Sequence, residues 1–156
     1  MTYAVNTSVS VGKSKGEIER TLQRYGAEQF VTGWDQKRAY IGFVFQRRAI
    51  KLCLALPPKE DFATTPGGRR RRDEAATLRA WEQACRQRWR ALSLVIKAKL
   101  EAVECGIATF EDEFLAYTCL PNGETVGQQI QPQLEMMIET GKMPKLLTGA
   151  IAGKGE

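Results

Sequence analysis

An α+β fold is what this chain predicts: an N-terminal helix, a three-stranded antiparallel meander, one long amphipathic helix packed on the sheet, and a helical C-terminal extension. Three observations carry that expectation. Between residues 28 and 56, three strand-like runs are separated by links of only a few polar residues, too short for anything but hairpins. Residues 73 to about 104 repeat apolar side chains at helical spacing. The length, 156 residues with 43% hydrophobic, suits one domain with its own core, so residues 1–156 are read as a single unit.

In chain order, residues 1–13 are polar with no stable period and read as a flexible arm or edge strand. Ser14-Lys15-Gly16-Glu17 spells a capping box, so a first helix is expected over 15–25, with Ile18, Leu22 and Tyr25 inward and Gly26 as its stop. The strands are expected at 28–34, 38–45 and 49–56, joined by Asp35-Gln36-Lys37 and Gln46-Arg47-Arg48. Ile41, Phe43 and Phe45 alternate with Tyr40, Gly42 and Val44. Ile50, Leu52, Leu54 and Leu56 alternate with Lys51, Cys53 and Ala55, giving one strongly apolar sheet face and one mixed face.

Pro57-Pro58 stops the third strand and opens a loop over 57–72, rich in Pro, Gly and Thr, which is expected to be mobile and basic. Asp73 and Glu74 complement the dipole at the start of the long helix, and Gly106 ends it. The extension, 107–148, begins with a short helix capped by Thr109, with Asp112 three residues on. After the Pro121-Asn122-Gly123 turn, Thr125 and Gln128 pair at the head of a last helix, which is expected to kink near Pro132 and stop at Gly141. Met143, Leu146 and Leu147 are expected to anchor the tail. No internal repeat is present.

The long helix carries the sharpest functional signal. Arg72, Arg79, Arg86, Arg90 and Lys97 are spaced by 7, 7, 4 and 7 residues. They fall within about 20° of one line and span about 37 Å of rise. Leu78, Trp81, Cys85, Trp89, Leu92, Ile96, Leu100 and Val103 form a separate stripe centred about 110° away. One face can bury while its neighbour holds cations. A solvated helix face explains such a stripe, and so does a surface for a polyanion. The second reading gains from the arginines that lead into it, Arg69, Arg70, Arg71 and Arg72, and from Lys37, Arg38, Arg47 and Arg48 in the strand links. A formal charge of +5 points the same way. Trp34 and Tyr40, near those links, are candidates for stacking on unpaired bases; Trp81 and Trp89 are assigned to packing.

Other chemistry is narrowed by what is missing. With no histidine in the chain, a Ser-His-Asp triad, a Cys-His dyad and a His-based metal site are excluded. Cys53, Cys85, Cys105 and Cys119 form no Cys-x-x-Cys pair and are read as buried, reduced thiols. The loop 67–72 lacks the Gly-Lys-Ser/Thr ending of a phosphate-cradling loop. Glu104, Glu111, Asp112 and Glu113 are an acidic cluster, but successive helical residues diverge and do not converge on an ion. No catalytic residue, metal or cofactor is therefore expected. No leader is evident and no apolar run approaches 18 residues, so a cytoplasmic protein with no membrane span is expected.

Residues 87–120, the Asn122-Gly123-Glu124-Thr125-Val126-Gly127 turn and Gly141-Lys142-Met143-Pro144 resemble short uncharacterised accessory proteins of phages, prophages and mobile elements. That resemblance implies a compact protein acting on nucleic acid or on host machinery. The order helix, three strands, helix is also similar to double-stranded-RNA-binding domains and to phage annealing recombinases. The Lys-Lys-x-Ala-Lys pattern and the histidine-bearing loop of the former are absent, however, and the second helix is longer. The expected function is non-enzymatic, largely sequence-independent binding of DNA or RNA. The alternative is a protein-interaction module that inhibits or adapts a host nucleic-acid-processing or defence complex. A homo-oligomer is compatible with either.

Overall fold

The computed structural model describes residues 7–35 and 38–143. Helix α1 spans Val11–Arg24; strands β1 (Gln29–Trp34), β2 (Arg38–Phe45) and β3 (Arg48–Ala55) follow. A 3₁₀ turn at Lys59–Phe62 precedes α2 (Glu74–Glu104). Helix α3 (Phe110–Phe114), a 3₁₀ turn (Leu115–Tyr117) and α4 (Val126–Thr140) complete the chain. The α+β class and its element order are those read from the sequence. The arm at residues 1–6, Gln36 and Lys37 in the first link, and the tail with Leu146 and Leu147 lie outside the described residues.

Helix α1 starts one turn earlier than the Ser14 capping box predicts. Ser10 is the cap, its hydroxyl accepting from the Lys13 N–H at 3.1 Å. Tertiary packing overrides the local motif because Val11, Ser14, Ile18 and Leu22 share one face, and that face turns toward the core. Ser14 is fully buried, and its hydroxyl has no hydrogen-bond partner among the described residues.

The sheet is a simple antiparallel meander, β1-β2-β3. Tyr40 pairs with Gly33 and Cys53, and Phe43 pairs with Phe30 and Ile50. A two-residue turn, Gln46-Arg47, joins β2 to β3 with φ of 46° and 66°, the primed geometry that matches strand twist and that side-chain-bearing residues rarely adopt. Arg48 thus opens β3 and is not part of the link.

Alternation decides which residues are buried. Ala39, Ile41, Phe43, Ile50 and Leu52 point to one face, where Ile18 and Leu22 of α1 and Trp89, Leu92, Ile96 and Leu100 of α2 close the core. Phe110 and Phe114 plug the β2–β3 turn end. Phe110 packs on Phe45 at 4.3 Å between centroids, and Phe114 meets Phe43 edge-on at 5.8 Å. The other sheet face carries no helix, and there Cys53 is exposed, as is Cys105 just past α2. The expectation that the cysteines are buried holds for Cys85 but not for these two.

Helix α2 runs unbroken for 31 residues from the Asp73 cap. Its apolar stripe is buried in the middle; Leu78, near its start, stays exposed because it lies beyond the sheet. Thr109 and Thr125 cap α3 and α4 as their sequences predict, the second as a full capping box. Helix α4 passes through Pro132 to a left-handed Gly141 and buries none of its residues. Cys119 N–H donates to Ala49 O at 2.8 Å, laying a short extra segment along the free edge of β3.

Candidate nucleic-acid interface

The basic stripe of α2 exists, but it is not a continuous line in open solvent. Arg79 and Lys97 are exposed. Between them, Arg90 is paired with Glu17 of α1, and both side chains are about seven-tenths buried (26% and 32% exposed). Arg86 is half-buried and donates from Nε and Nη2 to Gln83 Oε1 at 3.0 and 2.7 Å. The cause is the placement of α1, which packs along the flank of α2 beside the apolar stripe and brings Glu17 to the fourth rung.

The arginine loop carries hydrogen bonds of its own. Thr64 bridges Arg71, Thr65 N–H donates to Arg70 O at 2.8 Å, and Gly67 and Gly68 turn the tip with φ of +83° and +69°. Arg72 is engaged within the loop: its Nη1 donates to Phe62 O and Thr64 O at 3.1 and 2.9 Å, clamping the base. Arg69, Arg70 and Arg71 remain exposed. Among the described residues, none of these three, nor Arg79 or Lys97, forms an ion pair.

The strand-link cations do not gather on one surface. Arg38 pairs in the sheet with Ala55, and Arg48 with Phe45, so they stand at opposite ends of the meander, about 23 Å apart at strand spacing. Arg38 shares the end from which the arginine loop departs, and is 3.7 Å from Asp35. Arg48 is bound to Glu111 at 3.0 Å, while Arg47 is exposed at the turn. Lys37 falls outside the described residues.

Trp34 and Tyr40 are also separated. Trp34 pairs with Ala39, whose side chain is buried under the helices; Tyr40 is on the opposite, helix-free face. Trp34, 75% exposed, instead lines a cleft of about 1150 Å³ together with Trp81 and Trp89, so all three tryptophans of the chain meet there. Trp81 Nε1–H donates to Pro57 O at 2.8 Å, and Lys15 Nζ lies 4.6 Å from the Trp89 ring centroid. The cleft is charge-balanced: Lys15, Lys59 and Arg86 against Asp35, Glu60 and Glu82. No local sequence signal marks Lys15 or Lys59 as cleft residues, because five separate segments supply the walls.

The acidic cluster is used internally. Glu111 holds Arg48, Glu113 holds Lys99 at 2.8 Å, and Asp112 accepts from the Thr109 hydroxyl at 2.8 Å. Among the described residues no three Cys, Asp or Glu side chains are grouped so as to hold a metal ion, and no helix is long and apolar enough to cross a membrane.

No family model matches the chain, and neither a curated protein nor a solved structure is significantly similar to it.

Proposed function

We propose that this protein binds nucleic acid as a non-enzymatic accessory factor of a phage or mobile element, contacting backbone phosphates mainly through Arg69, Arg70, Arg71 and Arg79. The observation that carries this reading is the exposure of three consecutive arginines on the returning arm of the loop, with Arg79 in the second turn of the adjoining helix and no internal carboxylate paired to any of them among the described residues. Forked cations of this kind suit phosphate oxygens and carry no base-reading geometry, so binding is largely independent of sequence. Lys97, Arg38 and Arg47 lie further off and add to the field more than to the contact. The mobile-element setting rests on the resemblance of residues 87–120 and the two Gly-bearing segments alone, with the cytoplasm as the site of action.

Titration of DNA or RNA at several salt concentrations tests it. Log affinity should fall against log salt with a slope of about −3 to −4, as for three or four neutralised phosphates. Replacing Arg69, Arg70 and Arg71 together by Ala should flatten that slope. A slope near zero in the unaltered protein ends the proposal.

A second reading, an inhibitor or adaptor docking on a host nucleic-acid-processing complex, is favoured by a different observation. Helix α4 exposes Leu134, Met136 and Ile138 and has no fully buried residue, as suits a segment that docks on a protein surface. It predicts stable co-purification with a protein and weak affinity for free DNA or RNA. Light scattering separates self-association, the homo-oligomer option, from capture of a different chain.

A further inference from the structure

The helix-free face of the sheet has the features of a stacking surface. Its outward positions are Gln29, Val31 and Gly33 on β1, Arg38, Tyr40, Gly42 and Val44 on β2, and Ala49, Lys51, Cys53 and Ala55 on β3. No carboxylate stands among them, in a chain that has 18 acidic residues. Asp35, just past β1, is engaged with Arg38 at the hairpin end.

Two glycines shape the centre. A Cβ on Gly33 would come within 2.0 Å of the Tyr40 ring, so the phenol lies down across the strand beside it, leaving its other side turned away from the sheet. A Cβ on Gly42 would come within 2.8 Å of Val31 Cγ1, so Val31 leans into the space there. A shallow hollow of about 470 Å³ opens beside them, reached by Tyr40, Val31, Lys51 and Gln29. Lys51 Nζ sits over the Tyr40 ring, 5.9 Å from its centroid, so a base arriving on that ring displaces the ammonium, which then lies within reach of the adjoining phosphate.

We propose that this face receives unpaired bases of a single strand: one base stacks on Tyr40 against Val31, with Lys51 on the adjoining phosphate. The inference deepens the nucleic-acid reading above and rests on it. A ring lying flat on a sheet offers nothing to a duplex, whose bases are already stacked on one another, whereas a splayed single strand gains one aromatic contact per base. The absence of carboxylates on this face supplies the charge complementarity that the tryptophan cleft, with its three acids, lacks.

The test is fluorescence anisotropy of a labelled oligothymidine and of a labelled duplex, each titrated with the full chain at one salt concentration. The single strand should bind more tightly. Tyr40→Ala should weaken it about tenfold or more and leave duplex binding unchanged. Tyr40→Phe, which keeps the ring, should retain single-strand binding, and the unchanged duplex affinity of Tyr40→Ala shows that its loss is not a folding defect. Lys51→Ala should reduce the salt slope for the single strand by about one. Equal affinity for both oligonucleotides, or indifference to Tyr40→Ala, overturns this proposal while leaving phosphate binding intact. Binding of neither oligonucleotide overturns both.

Discussion

Arg90 of α2 donates from Nη1 to the carboxylate of Glu17 on α1, a partner 73 residues away in sequence and roughly seven-tenths buried with it. The pair fastens the two helices at the fourth rung of the basic stripe, so this guanidinium is engaged with a carboxylate of the protein itself. Arg90→Ala should therefore cost about 1 kcal/mol of stability, between the values for exposed and for buried pairs, and leave polyanion affinity unchanged. Arg79→Ala should do the reverse. Urea unfolding and a DNA titration on the two variants check this; equal losses of affinity would mean that Arg90 is free to bind.

The two ends of the arginine run should also part company. Arg72 makes two hydrogen bonds to backbone carbonyls at the loop base, and Arg70 side-chain atoms make none among the described residues. Arg72→Ala should destabilise by about 1–3 kcal/mol, as expected for charge-assisted bonds, and open the loop to proteolysis. Arg70→Ala should leave the melting temperature alone and weaken nucleic-acid binding. Thermal unfolding with limited proteolysis distinguishes them.

Ser14 carries a buried hydroxyl with no partner among the described residues, on a helix face pressed against the core. Ser14→Ala removes the desolvation penalty and substitutes a better helix former, so stability should rise by about 1 kcal/mol. A lower urea midpoint would show that the hydroxyl is satisfied after all.

Burial raises the thiol pKa of Cys85, outweighing the neighbouring Arg88 and Arg86, which pull it down; Cys53 and Cys105 are exposed. Iodoacetamide at mildly alkaline pH should label Cys53 and Cys105 well before Cys85, by peptide mass spectrometry. The sign for stability follows from the raised value. The neutral thiol is the form that the fold favours, so its contribution is complete below the unfolded-state pKa and declines as pH climbs through the folded one. Early labelling of Cys85 would contradict its placement in the core.

Sequence period alone determined the layers of this protein. Strand alternation assigned Ile41, Phe43, Ile50 and Leu52 to one face, and the 3.6-residue period put Trp89, Leu92, Ile96 and Leu100 against them, because both patterns are set by backbone geometry within a single element. Thr109 and Thr125 were legible for the same reason: a cap is completed by amides two or three residues away, whereas Asp73, read only as a partner of the helix dipole, is the cap of α2. The alternation also placed Tyr40 and Cys53 on the opposite face, yet proximity in the chain obscured that Trp34 sits across the sheet from Tyr40.

What only the tertiary structure decided is which polar groups remain available. Arg90 was spent on Glu17, Arg48 on Glu111, Arg72 on the loop's own carbonyls, and Ser14 was drawn inward instead of capping α1. Three distant tryptophans met in one cleft, and Gly33 let the Tyr40 ring lie flat. Each depends on a partner from another element, and a charge has no period that reveals its partner. Hydrophobic pattern tells a chain how to fold its layers; the pairing of its charges is settled only when those layers meet.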